Sequence, residues 1–329
     1  MVIEQPMKNN FTEHSPLVSV IMPVYNGSKT IRTAICSVLD QSFKNFELIV
    51  CDDASTDRTH RILKSIQDKR ILVIRNKKNL GEGPSRDRAI DKANGIWLAF
   101  IDADDMWSNE RLEILLNFAD KSAESIIFDD ILECHDTPNG MIPWHPIRGN
   151  DAFGCKRDNG YADIAVTQLI NSNRLLIKPL IPLKHVLRNN IRHSKRRFGA
   201  DIEFFIELFA LCIPLRYIPK PMYYYRITPG SMTSLPDRMT LFREVFENAI
   251  NKFDHDPSVQ LALLKKIAKV CRNELYIPFV LALKMKQYWT AIQLIRKYPW
   301  IVKEFIYRLP PSLCYHFHRI RYRGKTRGI

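Results

Sequence analysis

"LVSVIMPVYNGSKTIRTAICSVLDQSFKNFELIVCDDAS", residues 17–55, is the stretch whose reading decides the fold. It opens on one apolar run, "LVSVIM", and closes on a second, "FELIVC" (46–51). Between them Ile31, Ile35, Val38 and Leu39 recur at helical spacing, and Ser28 is a candidate helix cap. Strands that are apolar nearly throughout are covered on both faces, as in parallel sheets. The pattern then repeats. "ILVI" (71–74) and "IWLAFI" (96–101) read as the third and fourth strands. A helix carrying Ile62, Leu63 and Ile66 and a loop and helix within "GEGPSRDRAIDKANG", closed by Gly95, separate them. The expected class is α/β, a mostly parallel sheet flanked by helices.

Beyond the acids that follow the fourth strand, the pattern changes. A helix is expected in "NERLEILLNFA", then loop or lid material from about 130 to 180, around "HDTPNGMIPWHPIRGNDAFG". Helices return at 183–190 and 201–212, followed by two strand-like pieces, "LRYIP" and "PMYYYR", and a wholly helical remainder. Residues 1–16 read as an N-terminal extension, 17–236 as the α/β domain and 237–329 as a basic helical C-terminal region.

The 329 residues suffice for a sizeable core, and 46% hydrophobic with 26% charged residues is a globular balance. With 49 basic against 35 acidic residues the net charge is +14, which suits an anionic partner. Seven cysteines are scattered without CxxC pairs, and Cys36, Cys51 and Cys212 sit in apolar runs as small core residues would. The N-terminus has no signal-like apolar segment and no run reaches bilayer length, so a cytoplasmic protein, peripheral on the inner face of the membrane at most, is expected.

Open parallel sheets gather ligands at the carboxyl ends of their strands. That rule brings "PVYN" (23–26), "DDAS" (52–55), "NLGEGPSR" (79–86) and "DADD" (102–105) into one crevice. Paired carboxylates at a strand end suit magnesium or manganese, which take oxygen ligands and bridge to phosphates. An acidic turn ahead of a helix is the plainer use of the same residues.

These segments, from "VSVIMPVYNGSKT" through "DDASTDRT" and "NLGEGPSRDRAIDKANGIWLAFIDADD", resemble the family 2 glycosyltransferases of bacterial surface-polysaccharide synthesis over about residues 17–235. The resemblance implies the nucleotide-diphospho-sugar transferase fold called GT-A, a nucleotide-sugar donor with UDP favoured, a divalent cation (Mn2+ or Mg2+) and inversion at the anomeric carbon. It places Pro23, Val24 and Tyr25 around the nucleobase, Asp53 as acceptor of a base N–H, and Arg86 near the diphosphate or sugar. Asp102 and Ala103 then lie near the ribose and sugar, with Asp104 the leading metal ligand and Asp102 and Asp105 assisting. By residue type alone Asp53 equally suits a helix-capping acid, and Arg86 a solvated basic face shared with Arg88.

The general base of the resembled family is an Asp at a helix start, normally preceded by Glu. In "RRFGADIEFFIELF" that Asp is Asp201, and Ala200 stands where the Glu is usual; Glu203 is the second candidate. Further departures are "DDAS" for the commoner DDGS and Asp87 where Asn is frequent. Tyr225, Arg226 and Ser231 could border the acceptor or diphosphate, or lie in a strand packed on the core. The implied acceptor is a hydroxyl of a glycan or of a lipid-linked sugar.

From Tyr288 onward Arg296, Lys297, Lys303, Arg308, Arg319, Arg321, Arg323, Lys325 and Arg327 face only Glu304, interleaved with aromatic residues such as Trp289 and Trp300. Such a region suits an anionic membrane surface or a helical cap with a solvated face. No nucleic-acid partner is expected, for want of a recognisable motif. The alternative to an enzyme is a catalytically silent sugar-nucleotide binder or a basic binding module.

Overall fold

The computed structural model describes residues 15–119, 123–137, 140–148, 153, 160–172, 175–196, 199–227 and 238–307. Its first half follows the alternating pattern: β1 (Val18–Val24), α1 (Ile31–Leu39), β2 (Phe46–Asp52), α2 (Thr59–Ser65), β3 (Ile71–Arg75), α3 (Glu82–Ile90) and β4 (Trp97–Phe100). Every residue of β1 is buried, as a central strand requires. Val20 and Met22 pack with Ile31, Ile35 and Val38 of α1. Ile21 packs on the opposite face with Ala89 and Ile90 of α3. The period-two alternation of a strand thus feeds two separate cores.

The strands after the acids are β5 (Met106–Trp107), β6 (Ile126–Thr137), β7 (Gly140–Pro146), β8 (Ala162–Ile164), β9 (Leu180–Pro182) and β10 (Leu215–Arg226). Between them come α4 (Arg111–Asn117), α5 (Val166–Asn171), α6 (Leu183–Arg188) and α7 (Ala200–Phe209). The sheet order is β3-β2-β1-β4-β9-β6-β10-β5, with β7 beside β6 and β8 beside β10. β1–β2, β1–β4, β2–β3 and β6–β10 are parallel, and the other pairings are antiparallel. The parallel half is the one with the crossover pattern; the later strands make the sheet mixed.

Several local expectations are corrected. The 130–180 stretch is not a simple loop: it holds the end of β6 and all of β7, β8, α5 and the start of β9. β6 and β7 pair as antiparallel strands, and β7 is largely exposed with two prolines, a weak strand signal. "LRYIP" and "PMYYYR" form one strand, β10, whose register against β6 shifts on either side of Pro221. Ser28 is no cap, because α1 begins at Ile31 and the Ser28 N–H donates to Asp57. Of the cysteines placed in the core, Cys51 is buried but Cys36 and Cys212 are exposed.

The C-terminal helices are α8 (Arg238–Ala249), a 3-10 turn (Ile250–Phe253), α9 (Pro257–Lys284), α10 (Tyr288–Lys297) and α11 (Trp300–Tyr307). Val245, Phe246, Phe253, Val259 and Leu263 join the core of Ile21 and Phe204, so the first part of this region is packed onto the α/β layers. Farther on, Phe279 and Ala282 of α9 build a small core of their own with Ala291 and Ile301. Among the described residues no helix is long and apolar enough to cross a membrane.

Candidate active site

The carboxyl ends of β1, β2 and β4 lie side by side, since β1 pairs in parallel with both neighbours. The acid turn follows β4 directly, and the Asp105 N–H donates to the Asp102 carbonyl at 3.1 Å. Gly27 lets the chain turn tightly after β1, beside this acid turn. A Cβ there would meet Val24 at 2.7 Å and would sit 3.8 Å from Ala103.

The three acids have three different environments. Asp102 is half-buried and its two oxygens are taken by cations: Oδ1 by Arg86 at 2.7 Å and Oδ2 by Lys178 at 2.5 Å. Burial alone would raise its pKa, but Lys178 and then Arg86 override it and hold the carboxyl at about 2. Asp104, also half-buried, forms no ion pair among the described residues. Burial, and next the Asp102 charge, push its pKa up. Asp105 is buried and points inward. It accepts from the Tyr223 hydroxyl at 2.7 Å and from the Arg226 N–H at 2.8 Å. Burial, with Asp102 and Asp104, drives its pKa well above the carboxylate range. Asp105 therefore fastens β10 to the acid turn and is not placed as a metal ligand.

β10 supplies the rest of the floor. The Tyr223 hydroxyl also accepts the Asp102 N–H at 3.1 Å, and Arg226 Nε donates to the Asp104 carbonyl at 2.6 Å. Tyr223 is fully buried and Arg226 is bound to the acid turn and to Asp136, so both act here as scaffold. Ser231 lies outside the described residues, as do residues 1–14 and the tail from Arg308 onward.

Arg86 is buried on α3 and contacts Glu82 as well as Asp102. Its solvated-face alternative is thereby ruled out, whereas Arg88 beside it is exposed. Asp201 sits half-buried in the first turn of α7. Its charge is felt by Glu82, Arg86 and Lys178, which brings it to the same crevice. The alignment of α3 with α7 has a local cause. Asp87 accepts the His193 N–H at 3.1 Å and contacts the ring Nδ1 at 2.7 Å, while that ring stacks on Phe204 of α7. Gly83 allows the approach, since a Cβ would fall 2.6 Å from the Ser194 carbonyl. The Asp87 departure thus holds the two helices together.

Glu203 is committed elsewhere. It pairs with Arg196 Nε at 2.8 Å, and Arg196 reaches Glu244 of α8 at 2.9 Å. Glu203→Gln is expected to change turnover by less than about threefold and stability by under about 1 kcal/mol, as for a partly exposed pair. Steady-state rates and a thermal melt check both.

The residues expected around a nucleobase are placed differently from one another. Pro23 and Val24 are buried within the sheet, so of the three only Tyr25, half-exposed, offers its side chain. Asp53 is buried and accepts from Asn76 Nδ2 at 2.6 Å, the Leu80 N–H at 2.8 Å and the Gly81 N–H at 2.8 Å. Its visible work is to clamp the loop ahead of α3, not to cap a helix.

Lys178 was not foreseen. Its signal was a lone cation in "LLIKPLIPL" (175–183), where a buried lysine needs a partner. Among the described residues no three His, Cys, Asp or Glu side chains converge as a metal site. Asp104, a carboxylate with no ion pair among the described residues, has the oxygen-donor chemistry of a hard cation that takes its other oxygens from a ligand.

Residues 19–179 match the family described as Glycosyl transferase family 2. TuaG of Bacillus subtilis (strain 168), named for teichuronic acid biosynthesis, is 43% identical over 109 residues, 32% of this chain and 43% of its own length. An Escherichia coli protein is 39% identical over 112 residues, 34% of this chain and 44% of its own; its name is UDP-Glc:alpha-D-GlcNAc-diphosphoundecaprenol beta-1,3-glucosyltransferase WfgD. The match spans less than half the length of these curated relatives. Residues 1–349 of S. aureus TarS, solved in complex with UDP-GlcNAc, superpose with a TM-score of 0.62 at 20% identity, over 87% of this chain and 81% of that one. At that identity the likeness establishes the shared fold, which is GT-A.

Proposed function

We propose that this chain, which carries a family 2 glycosyltransferase domain, transfers a sugar from a UDP-sugar to a hydroxyl of a lipid-linked glycan with inversion, in surface-polysaccharide synthesis. One observation carries the proposal: Asp102 is already neutralised by Lys178 and Arg86, while Asp104 beside it forms no ion pair among the described residues, and the Asp201 charge acts on the same Arg86 and Lys178. A donor diphosphate with its cation answers that arrangement. The UDP complex is suggested by TarS, and the lipid diphosphate acceptor by the name of WfgD.

In the proposed reaction Asp201 accepts the acceptor hydroxyl's proton as its oxygen attacks the anomeric carbon. The bond from that carbon to the diphosphate oxygen breaks as the new glycosidic bond forms, and the electron pair leaves with UDP. Arg86 and Lys178 keep the charge of Asp102 from repelling the departing diphosphate. Asp104 would hold the divalent cation, which supplies Lewis-acid stabilisation of the leaving group. In this reading exposed Tyr25 covers the base, and Asp53 fixes the loop ahead of α3.

Calorimetric titration with UDP, with and without manganese, tests this. Manganese is expected to raise the affinity at least about tenfold in the wild type, by metal bridging. The gain should vanish in Asp104→Asn and persist in Asp105→Asn. A folded protein that binds no UDP under either condition would sink the donor assignment.

A further inference from the structure

We propose that the outer face of α10 docks on an anionic phospholipid bilayer. Ala291, Leu294 and Ile295 turn inward against α9 and α11. Tyr288, Trp289 and Ile292 do not: they are 59, 65 and 41% exposed, and Met285 just before the helix is 65% exposed. At about 100° per residue, Tyr288, Ile292, Arg296 and Trp289 fill a continuous arc of about 100°. Single exposed apolar residues need no explanation, but four large ones on one turn-and-helix element form a patch.

The surroundings select the occupant. Lys284, Lys286, Arg296, Lys297 and Lys303 flank the patch in sequence, all but Glu304 of the charges in that stretch. The Arg296 guanidinium lies 5.9 Å from the Trp289 ring, so the positive charge sits at the edge of the apolar arc. Aromatic rings and cations together are suited to the headgroup boundary. A second copy of the chain would instead set these cations against their own like. The proposal stands on the helix face and needs neither the donor nor the acceptor assignment. If the acceptor is lipid-linked, docking keeps the crevice near its substrate.

The test is co-sedimentation of the full chain with phosphatidylcholine vesicles, with and without phosphatidylglycerol. Binding is expected with the anionic vesicles and should fall as salt rises. Trp289→Ser/Ile292→Ser should weaken it at least about tenfold through lost apolar burial. Arg296→Glu/Lys297→Glu should weaken it by about fivefold or more for each charge removed. Unchanged melting and UDP titration certify both variants as folded. Three results would each overturn the proposal: no binding to either vesicle, binding that both variants retain, or self-association that Trp289→Ser/Ile292→Ser abolishes. A chain that binds vesicles but not UDP would contradict the transferase proposal and leave this one standing.

Discussion

Asp201→Asn is expected to lower kcat by about 10²–10⁴-fold, the span of a positioned general base, while leaving UDP affinity within about twofold. The reason lies in the placement of α7. Its first turn faces Glu82, Arg86 and Lys178, so Asp201 is on the crevice side while Phe204, Phe205 and Leu208 hold the helix in the core. Asparagine preserves size and can still accept a hydrogen bond, including that of the Ile202 N–H at 2.9 Å. What it cannot do is take a proton from the attacking hydroxyl. Single-turnover kinetics beside calorimetry separates the two. Equal losses in rate and UDP affinity would assign Asp201 to donor binding, and an unchanged rate would remove it from the chemistry. Glu203 is the built-in control: it stands two residues away and is already paired with Arg196.

The sheet's parallel half was legible because burial on both faces leaves its own trace. β1 and β2 are almost wholly apolar, and the helices between strands carry one apolar face. The hairpin β6–β7 was not, since β7 is largely exposed and contains two prolines in seven residues, a weak strand signal. In the site, Asp102, Asp104, Arg86 and Asp201 were recoverable from motif order, and the structure brings them together. Which acid does what was not recoverable. Three aspartates of one type differ only in what sits across from them: Lys178, 76 residues away in sequence, for Asp102 and Tyr223, 118 away, for Asp105. Such partners are set by long-range pairings, β4 with β9 for Lys178 and β10 with β5 for Tyr223, which no local pattern encodes. The same holds for Pro23 and Val24. An apolar strand end reads alike whether it lines a pocket or fills the core.

Lys178→Met is the other large expected effect, about 1–3 kcal/mol of stability, because it strips a half-buried carboxylate of one of its two cations. Lys178 is buried just outside β9, and its ammonium lies 5.6 Å from the Tyr223 ring. Burial by itself would lower its pKa, but Asp102 raises it, so the pair is held charged. The pH dependence gives the sign. Asp102 titrates at about 2 when folded against the ordinary 3.8, so its contribution is present above about pH 4 and is lost as pH falls through 2. In Lys178→Met that acid limb should begin at higher pH, which urea melts between pH 2 and pH 5 resolve. Lys184→Met, which breaks a mostly exposed pair with Glu124, should cost under about 1 kcal/mol and leave the limb in place. The double variant Lys178→Met/Asp102→Asn separates structure from chemistry. Removing both charges should recover most of the lost stability, since the unpaired carboxylate is gone. It should not restore transfer, because Asp102→Asn also removes the carboxylate proposed to lie beside the ribose and sugar of the donor. A double variant that regains both would reduce Lys178 to a structural ion pair.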